Sequence, residues 1–171
     1  MINLFGIAED SIVDGSGIRT VFFAQGCPHH CKGCHNPESW DFAGGTPMDE
    51  EKLAEIARSN PLSHKVTFSG GEPFSQAEGF AKLAELLKPY HYEIASYTGY
   101  TFEYLLEHGT DAQRRLLSSI DILVDGPFIL AEKSLELYFK GSRNQRVLDV
   151  QKSLAEGKAV EVASGGWVGD Y

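Results

Sequence analysis

Long apolar runs are missing from this 171-residue chain. Nothing approaches the roughly 18 uninterrupted apolar residues of a membrane-spanning helix, and short runs such as Val21-Phe22-Phe23-Ala24 read as buried strands. The first residues, Met1-Ile2-Asn3-Leu4-Phe5, reach Glu9 and Asp10 before any basic residue. They lack the cationic start and apolar middle of a secretory signal, so the expected setting is the cytoplasm. Positive charge is scarce too: Lys and Arg number 15 against 24 Asp and Glu, a formal net charge of −9. Such a chain has no basic footprint for phosphate backbones or anionic lipid, which argues against nucleic acid and membrane surfaces as partners. Cysteine is the third scarcity, with 3 in all, at Cys27, Cys31 and Cys34. An odd number packed this closely makes a poor disulfide framework, because one thiol is always left over and the closed loops are tiny. Metal or redox chemistry is the better reading.

What is present fits a single globular domain over residues 1–171: the chain is 42% apolar and long enough to bury roughly 70% of the surface its unfolded form exposes. Ile18–Phe23, Lys65–Ser69, Tyr92–Tyr97 and Ile120–Val124 read as strands. Helices are expected after Asp49, over Ala81–Leu87, and around Phe102–Leu106 and Ala112–Leu117. Strands alternating with helices predict an α/β fold with a parallel sheet, ligands sitting at the carboxyl ends of the strands. Past Gly126 the pattern thins; Leu137-Tyr138-Phe139, Arg146–Val150 and Val160-Glu161-Val162 read as short strands.

The spacing Cys27-Pro28-His29-His30-Cys31-Lys32-Gly33-Cys34 lets three thiolates converge from one loop on a soft metal centre. Iron-sulfur clusters usually take four cysteines, so three leave one iron of a [4Fe-4S] cube open for substrate chemistry. The alternatives are a zinc site, whose fourth ligand would be His29, His30 or His35, and inert thiols. Zinc is the poorer fit because adjacent Cys34 and His35 grip one small ion awkwardly. His29 and His30 otherwise read as residues shielding the site.

Three further segments end strands on the same predicted edge. Ser69-Gly70-Gly71-Glu72-Pro73 can bring bare backbone up to a ligand before Pro73 opens a helix; alone, it reads as a plain turn. Thr98 and Asp125 follow the next two strands, and an isolated Asp there is ordinarily a turn or cap residue. Asp14-Gly15-Ser16-Gly17-Ile18-Arg19 precedes a strand, which makes it a weak anion loop. Gly141-Ser142-Arg143-Asn144-Gln145-Arg146 reads as a solvated basic loop.

Taken together, Cys-x3-Cys-x2-Cys after a first strand resembles the signature of the radical S-adenosylmethionine (SAM) superfamily. Many members carry an aromatic residue where this chain has Gly33. The run Cys31–Glu38 is similar to the subset that activates glycyl radical enzymes. Asp14–Arg19 resembles that subset's Asp-Gly-Pro-Gly-Ile-Arg, with Ser16 in place of proline. Val124–Phe128 together with Gly141–Arg146 look like the activators of anaerobic ribonucleoside-triphosphate reductase. The resemblance implies a partial, open parallel β/α barrel of the radical SAM type, and 171 residues do fall short of the roughly 250 of a closed eight-stranded barrel.

It also implies a [4Fe-4S] cluster on Cys27, Cys31 and Cys34, with the SAM adenine near Gly33, Cys34 and His35. The methionyl ammonium is expected on the backbone of Gly70, Gly71 and Glu72, and Thr98 and Asp125 are expected to help position SAM. The implied reaction is one-electron cleavage of SAM to a 5′-deoxyadenosyl radical, which takes a hydrogen from a glycine on the large reductase subunit. A flavodoxin- or ferredoxin-type donor would supply the electron. The alternatives are activation of another glycyl radical enzyme, a small-molecule radical SAM enzyme such as a deazaguanine-forming synthase, an iron-sulfur electron carrier, and a zinc-binding interaction module. Val at position 71 is expected to occlude SAM while leaving cluster assembly intact.

Overall fold

A computed structural model describes residues 1–34 and 37–169. His35, expected beside the adenine, lies outside the described residues. In chain order the elements are β1 (Ile2–Ser11), β2 (Arg19–Ala24), β3 (Thr46–Met48), α1 (Glu50–Arg58), β4 (Lys65–Gly70), α2 (Ala77–Leu87), β5 (Glu93–Tyr97), α3 (Phe102–His108), α4 (Asp111–Ser119), β6 (Ile122–Asp125), β7 (Arg146–Asp149) and α5 (Val150–Glu156). The helices begin where capping chemistry permits. Asp49 accepts from the Glu51 amide to open α1, Thr101 accepts from the Tyr104 amide to open α3, and Thr110 with Gln113 forms a reciprocal capping box on α4.

The strands form one open sheet of order β3-β1-β2-β4-β5-β6-β7. Its centre, β2-β4-β5-β6, is parallel, as the alternation of strands and helices predicts. Both edges correct that expectation: β1, β3 and β7 all join antiparallel. The connections explain why. Parallel neighbours need a crossover, usually helical, and neither the short β1–β2 loop nor the β6–β7 loop carries an α-helix. Leu137-Tyr138-Phe139 is not a strand but part of that second loop, and Val160–Val162 contributes only a single bridge, Leu148 to Glu161.

Strand periodicity divides the core in two. Phe22, Val66, Phe68, Ile94, Leu123 and Leu148 face the helices and pack with Leu53, Phe80, Leu83, Leu87, Leu105 and Leu116. Ala95, Ile122, Val124 and Val147 face the other way, where the C-terminal Trp167 covers them. With helices on one face only, the opposite face is left to be covered by loops, and there the cavity forms.

That face is anchored by Arg19, whose side chain is fully buried. Its guanidinium donates to Thr67 Oγ1 (2.7 Å), Ser16 O (2.7 Å), Val66 O (3.0 Å) and Glu93 Oε1 (2.8 Å). Burial lowers its pKa, and the Glu93 carboxylate opposes the shift. Trp167 lies over the guanidinium at 5.0 Å and donates its indole N–H to the same Glu93 oxygen at 3.1 Å. Thr67 in turn donates to Asp14 O at 2.8 Å. The Asp14–Arg19 segment is therefore a buried anchor, tied to the C-terminal end of the chain. Trp167→Ala is expected to lower the stability of the apoprotein by about 3–5 kcal/mol, since it opens a cavity and uncovers a buried charge. Denaturant unfolding checks this; a loss under about 1 kcal/mol would detach the C-terminal segment from the core.

Candidate functional site

The carboxyl ends of β2, β4, β5 and β6 open into a cavity of about 470 Å³, within the range of small-molecule sites. Cys27, Cys31 and Cys34 all line it, together with Ser69, Gly70, Gly71, Thr98, Gly99 and Gly126. The β6–β7 loop adds Phe128, Leu135, Phe139 and Gln145, and the β1–β2 loop adds Val13 and Asp14. Leu135 is 92% exposed and Val13 75%, so this side of the cavity is open to the surroundings.

The cysteine loop is pinned at its root. Gly26 N donates to Ser39 O (2.6 Å), Cys27 N to Trp40 O (3.1 Å), and Cys34 N to Cys31 O (3.1 Å). Burial pushes the Cys27 thiol up, while the backbone N–H groups of His29 and His30 favour its thiolate. Among the described residues, no three His, Cys, Asp or Glu side chains converge tightly enough to hold one metal ion. Three thiols spread round a cavity suit a polynuclear cluster, in which each thiolate holds its own iron. The buried indole N–H of Trp40, in the same wall, has no hydrogen-bond partner among the described residues. An orphaned donor beside three thiols is the setting an anionic group needs, so the residues present fit an iron-sulfur cluster.

The Gly-Gly turn is shaped by a close approach of two backbones. Gly71 N donates to Ala24 O (2.7 Å) and Glu72 N to Gly26 O (2.8 Å), so the exit of β4 is laced to the chain that leads into Cys27. A Cβ on Gly71 would collide with the Gly26 carbonyl, lying 2.9 Å from its carbon and 3.0 Å from Ala24 O. Gly33 stands against the β6–β7 loop, where a Cβ would come within 2.8 Å of Leu130 Cδ1 and 3.3 Å of Phe128 Cε1. Its φ of +81° strains any side chain, an aromatic one included, which suits glycine to this turn.

Gly33, Glu72 and Asp125, all expected beside the cofactor, are not among the residues that line the cavity. Glu72 is fully buried. Its Oε1 accepts from Thr98 Oγ1 (2.8 Å), Gly99 N (2.8 Å) and the His29 ring (2.6 Å), and its Oε2 accepts from Phe74 N (3.0 Å). Thr98, which does line the cavity, gives its hydroxyl proton to Glu72 and accepts from Tyr100 N. Asp125 accepts from Phe102 N at the start of α3 and from Arg146 Nε (3.0 Å) and Nη2 (2.5 Å). Arg146 is held above its ordinary pKa by Asp125 and Glu103. Both carboxylates thus fix strand ends and their loops.

The basic loop proves to be a knot. Gln145 accepts from Gly141 N and donates to Gly126 O, and Asn144 donates to Pro127 O. These bonds tie the Val124–Phe128 and Gly141–Arg146 segments to one another. Sequence reasoning missed Trp40 and the apolar loop residues Leu135 and Leu137 as cavity lining, since nothing in their spacing marks them.

Comparison with known proteins agrees with the geometry. The model of the 4Fe-4S single cluster domain family matches residues 13–148. The chain is 35% identical over 144 residues to the anaerobic ribonucleoside-triphosphate reductase-activating protein of Pasteurella multocida, covering 78% of this chain and 89% of that one. It is 30% identical over 144 residues to the protein of the same name from Escherichia coli (strain K12), covering 80% and 91%. Over 117 residues it is 39% identical to the pyruvate formate-lyase-activating enzyme of Clostridium pasteurianum, covering 63% of this chain and 49% of that one. The chain therefore belongs to the 4Fe-4S single cluster domain family, among the activating proteins of anaerobic ribonucleoside-triphosphate reductase.

Proposed function

We propose that the protein is an activase that installs a glycyl radical on anaerobic ribonucleoside-triphosphate reductase, using a [4Fe-4S] cluster and SAM. The observation that carries this reading is the meeting of all three cysteines with the Gly70-Gly71 turn round one cavity that is open on a side. The open sheet is then a partial barrel of the radical SAM type, and residues 1–171 are one such domain. When bound, the cluster and SAM supply a one-electron cleavage whose deoxyadenosyl product takes the glycine hydrogen.

The chain's own residues bind, orient and exclude. Cys27, Cys31 and Cys34 hold three irons. Gly70 and Gly71 would offer backbone carbonyls to the methionyl ammonium, and Cys34 would border the adenine. Glu72, Thr98 and Asp125 act behind these groups, holding the strand ends from which they project. The apolar wall formed by Phe128, Leu137 and Phe139 keeps water from the reacting centre, and the exposed rim at Leu135 and Val13 lets a glycine-bearing loop of a large partner reach it. Every cysteine of the chain is committed to this one site, so the electron comes from a separate donor of flavodoxin or ferredoxin type. A cytoplasmic setting, where thiols stay reduced, suits this chemistry; among the described residues no helix is long and apolar enough to cross a membrane.

Anaerobically reconstituted and reduced protein is expected to convert SAM to methionine and 5′-deoxyadenosine. A plain electron carrier would cycle its cluster and leave SAM intact. The identity to a pyruvate formate-lyase-activating enzyme favours a second reading, activation of a different glycyl radical enzyme. Presenting both kinds of partner and finding a radical on only one decides between them.

A further inference from the structure

We propose that His29 is a positioning residue that locks the cysteine loop in place through Glu72, an inference that rests on the cluster reading above. His29 stands midway between Cys27 and Cys31, yet its ring does not face solvent as a shield would. The ring occupies a built slot. Its Nε2 donates to Glu72 Oε1 at 2.6 Å, and its side chain is only 18% exposed. The Tyr100 ring meets it edge to face at 4.6 Å. The floor of the slot is Gly99, where a Cβ would overlap the imidazole, lying 2.7 Å from both Cγ and Nε2. Position 99 must lack a side chain for His29 to lie where it does.

The acceptor is the same buried carboxylate that takes Thr98 Oγ1, Gly99 N and Phe74 N. A carboxylate with no access to water needs every donor it has, so the four contacts form as a unit. Through them the Cys27–Cys31 turn, the exit of β4 and the exit of β5 are fixed to one another. His29 thereby sets where two of the three thiolates stand.

The test uses full-length protein reconstituted anaerobically with iron and sulfide, as wild type, His29→Ala, His29→Gln and Gly99→Ala. The readouts are the rate of iron loss to a ferrous chelator and the electron paramagnetic resonance spectrum of the reduced cluster. His29→Ala is expected to lose iron roughly tenfold faster or more, the scale of a hydrogen bond to a charged group, with an altered spectrum. Gly99→Ala is expected to do the same while changing no polar group, because it evicts the ring. Gln places an amide N–H close to the position of Nε2 and is expected to restore the wild-type rate and spectrum. Wild-type behaviour in both His29→Ala and Gly99→Ala overturns the proposal. So does a Gln variant as impaired as Ala, which would mean that the imidazole acts on the metal directly. A wild-type protein that takes up no cluster overturns the cluster reading itself, whereas a stable wild-type cluster indifferent to His29 overturns only this proposal.

Discussion

Cys31→Ala is expected to yield a folded protein that forms no 5′-deoxyadenosine and activates no reductase, with radical output at background. Cys31 is half-buried in a loop outside both hydrophobic cores, so its truncation removes no packing that the sheet depends on. Substitutions of that kind usually change stability by no more than about 0.5 kcal/mol. The loss is therefore one of cluster chemistry. With Cys27 and Cys34 alone, two irons are held where three are needed. Cys27→Ala and Cys34→Ala are expected to behave alike in activity. Iron and sulfide content, the thermal transition of the apoprotein and SAM turnover together check this. A Cys31→Ala variant with full activity would remove the cluster assignment.

Gly71→Val is expected to abolish activity as well, but by a different route from the one its sequence context suggests. A side chain there does not project into the cavity; it meets the carbonyl of Gly26, one residue before Cys27, and Ala24 O at 3.0 Å. These are backbone atoms, which cannot rotate aside. The exit of β4 must separate from the cysteine loop, breaking the 2.7 Å bond from Gly71 N to Ala24 O and the 2.8 Å bond from Glu72 N to Gly26 O. Overpacking of this kind costs about 1–3 kcal/mol, and sometimes more. SAM affinity and cluster content should fall together, Gly71→Ala following in the same direction with smaller amplitude. Normal iron content with lost SAM binding would instead support simple occlusion of the ligand.

The central parallel strands and helices α1 to α4 were legible because each carries its own local signal, such as the β-branched run of β4 or the Thr110 and Gln113 capping box; α5, seven residues long, was not. Of the flanking strands, β7 was legible in Arg146–Val150, whereas β1 and β3 were not. Gly6 interrupts the alternation of β1 and its end is acidic, while β3 is three residues with a proline; both exist because of pairing with distant partners. Leu137-Tyr138-Phe139 shows the converse error, since apolar residues serving a cavity wall look the same in sequence as those serving a sheet. For the site, residue types and order were readable, and the cysteines and the Gly-Gly turn do share one cavity. Where the carboxylates point was not readable, because Glu72 and Asp125 are oriented by partners such as His29 and Arg146, 43 and 21 residues away. The role of Trp167 was equally hidden: its partners Arg19 and Glu93 lie far back along the chain.

The most direct measurement of the central claim is isotope transfer between partner and product. Reduced, reconstituted protein is mixed with SAM and an anaerobic ribonucleoside-triphosphate reductase whose glycines carry deuterium at Cα. One deuterium is expected in the 5′-deoxyadenosine formed, with a glycine-centred radical on the reductase in matching amount. Deoxyadenosine that stays free of deuterium, with no radical on the reductase, would contradict the central claim.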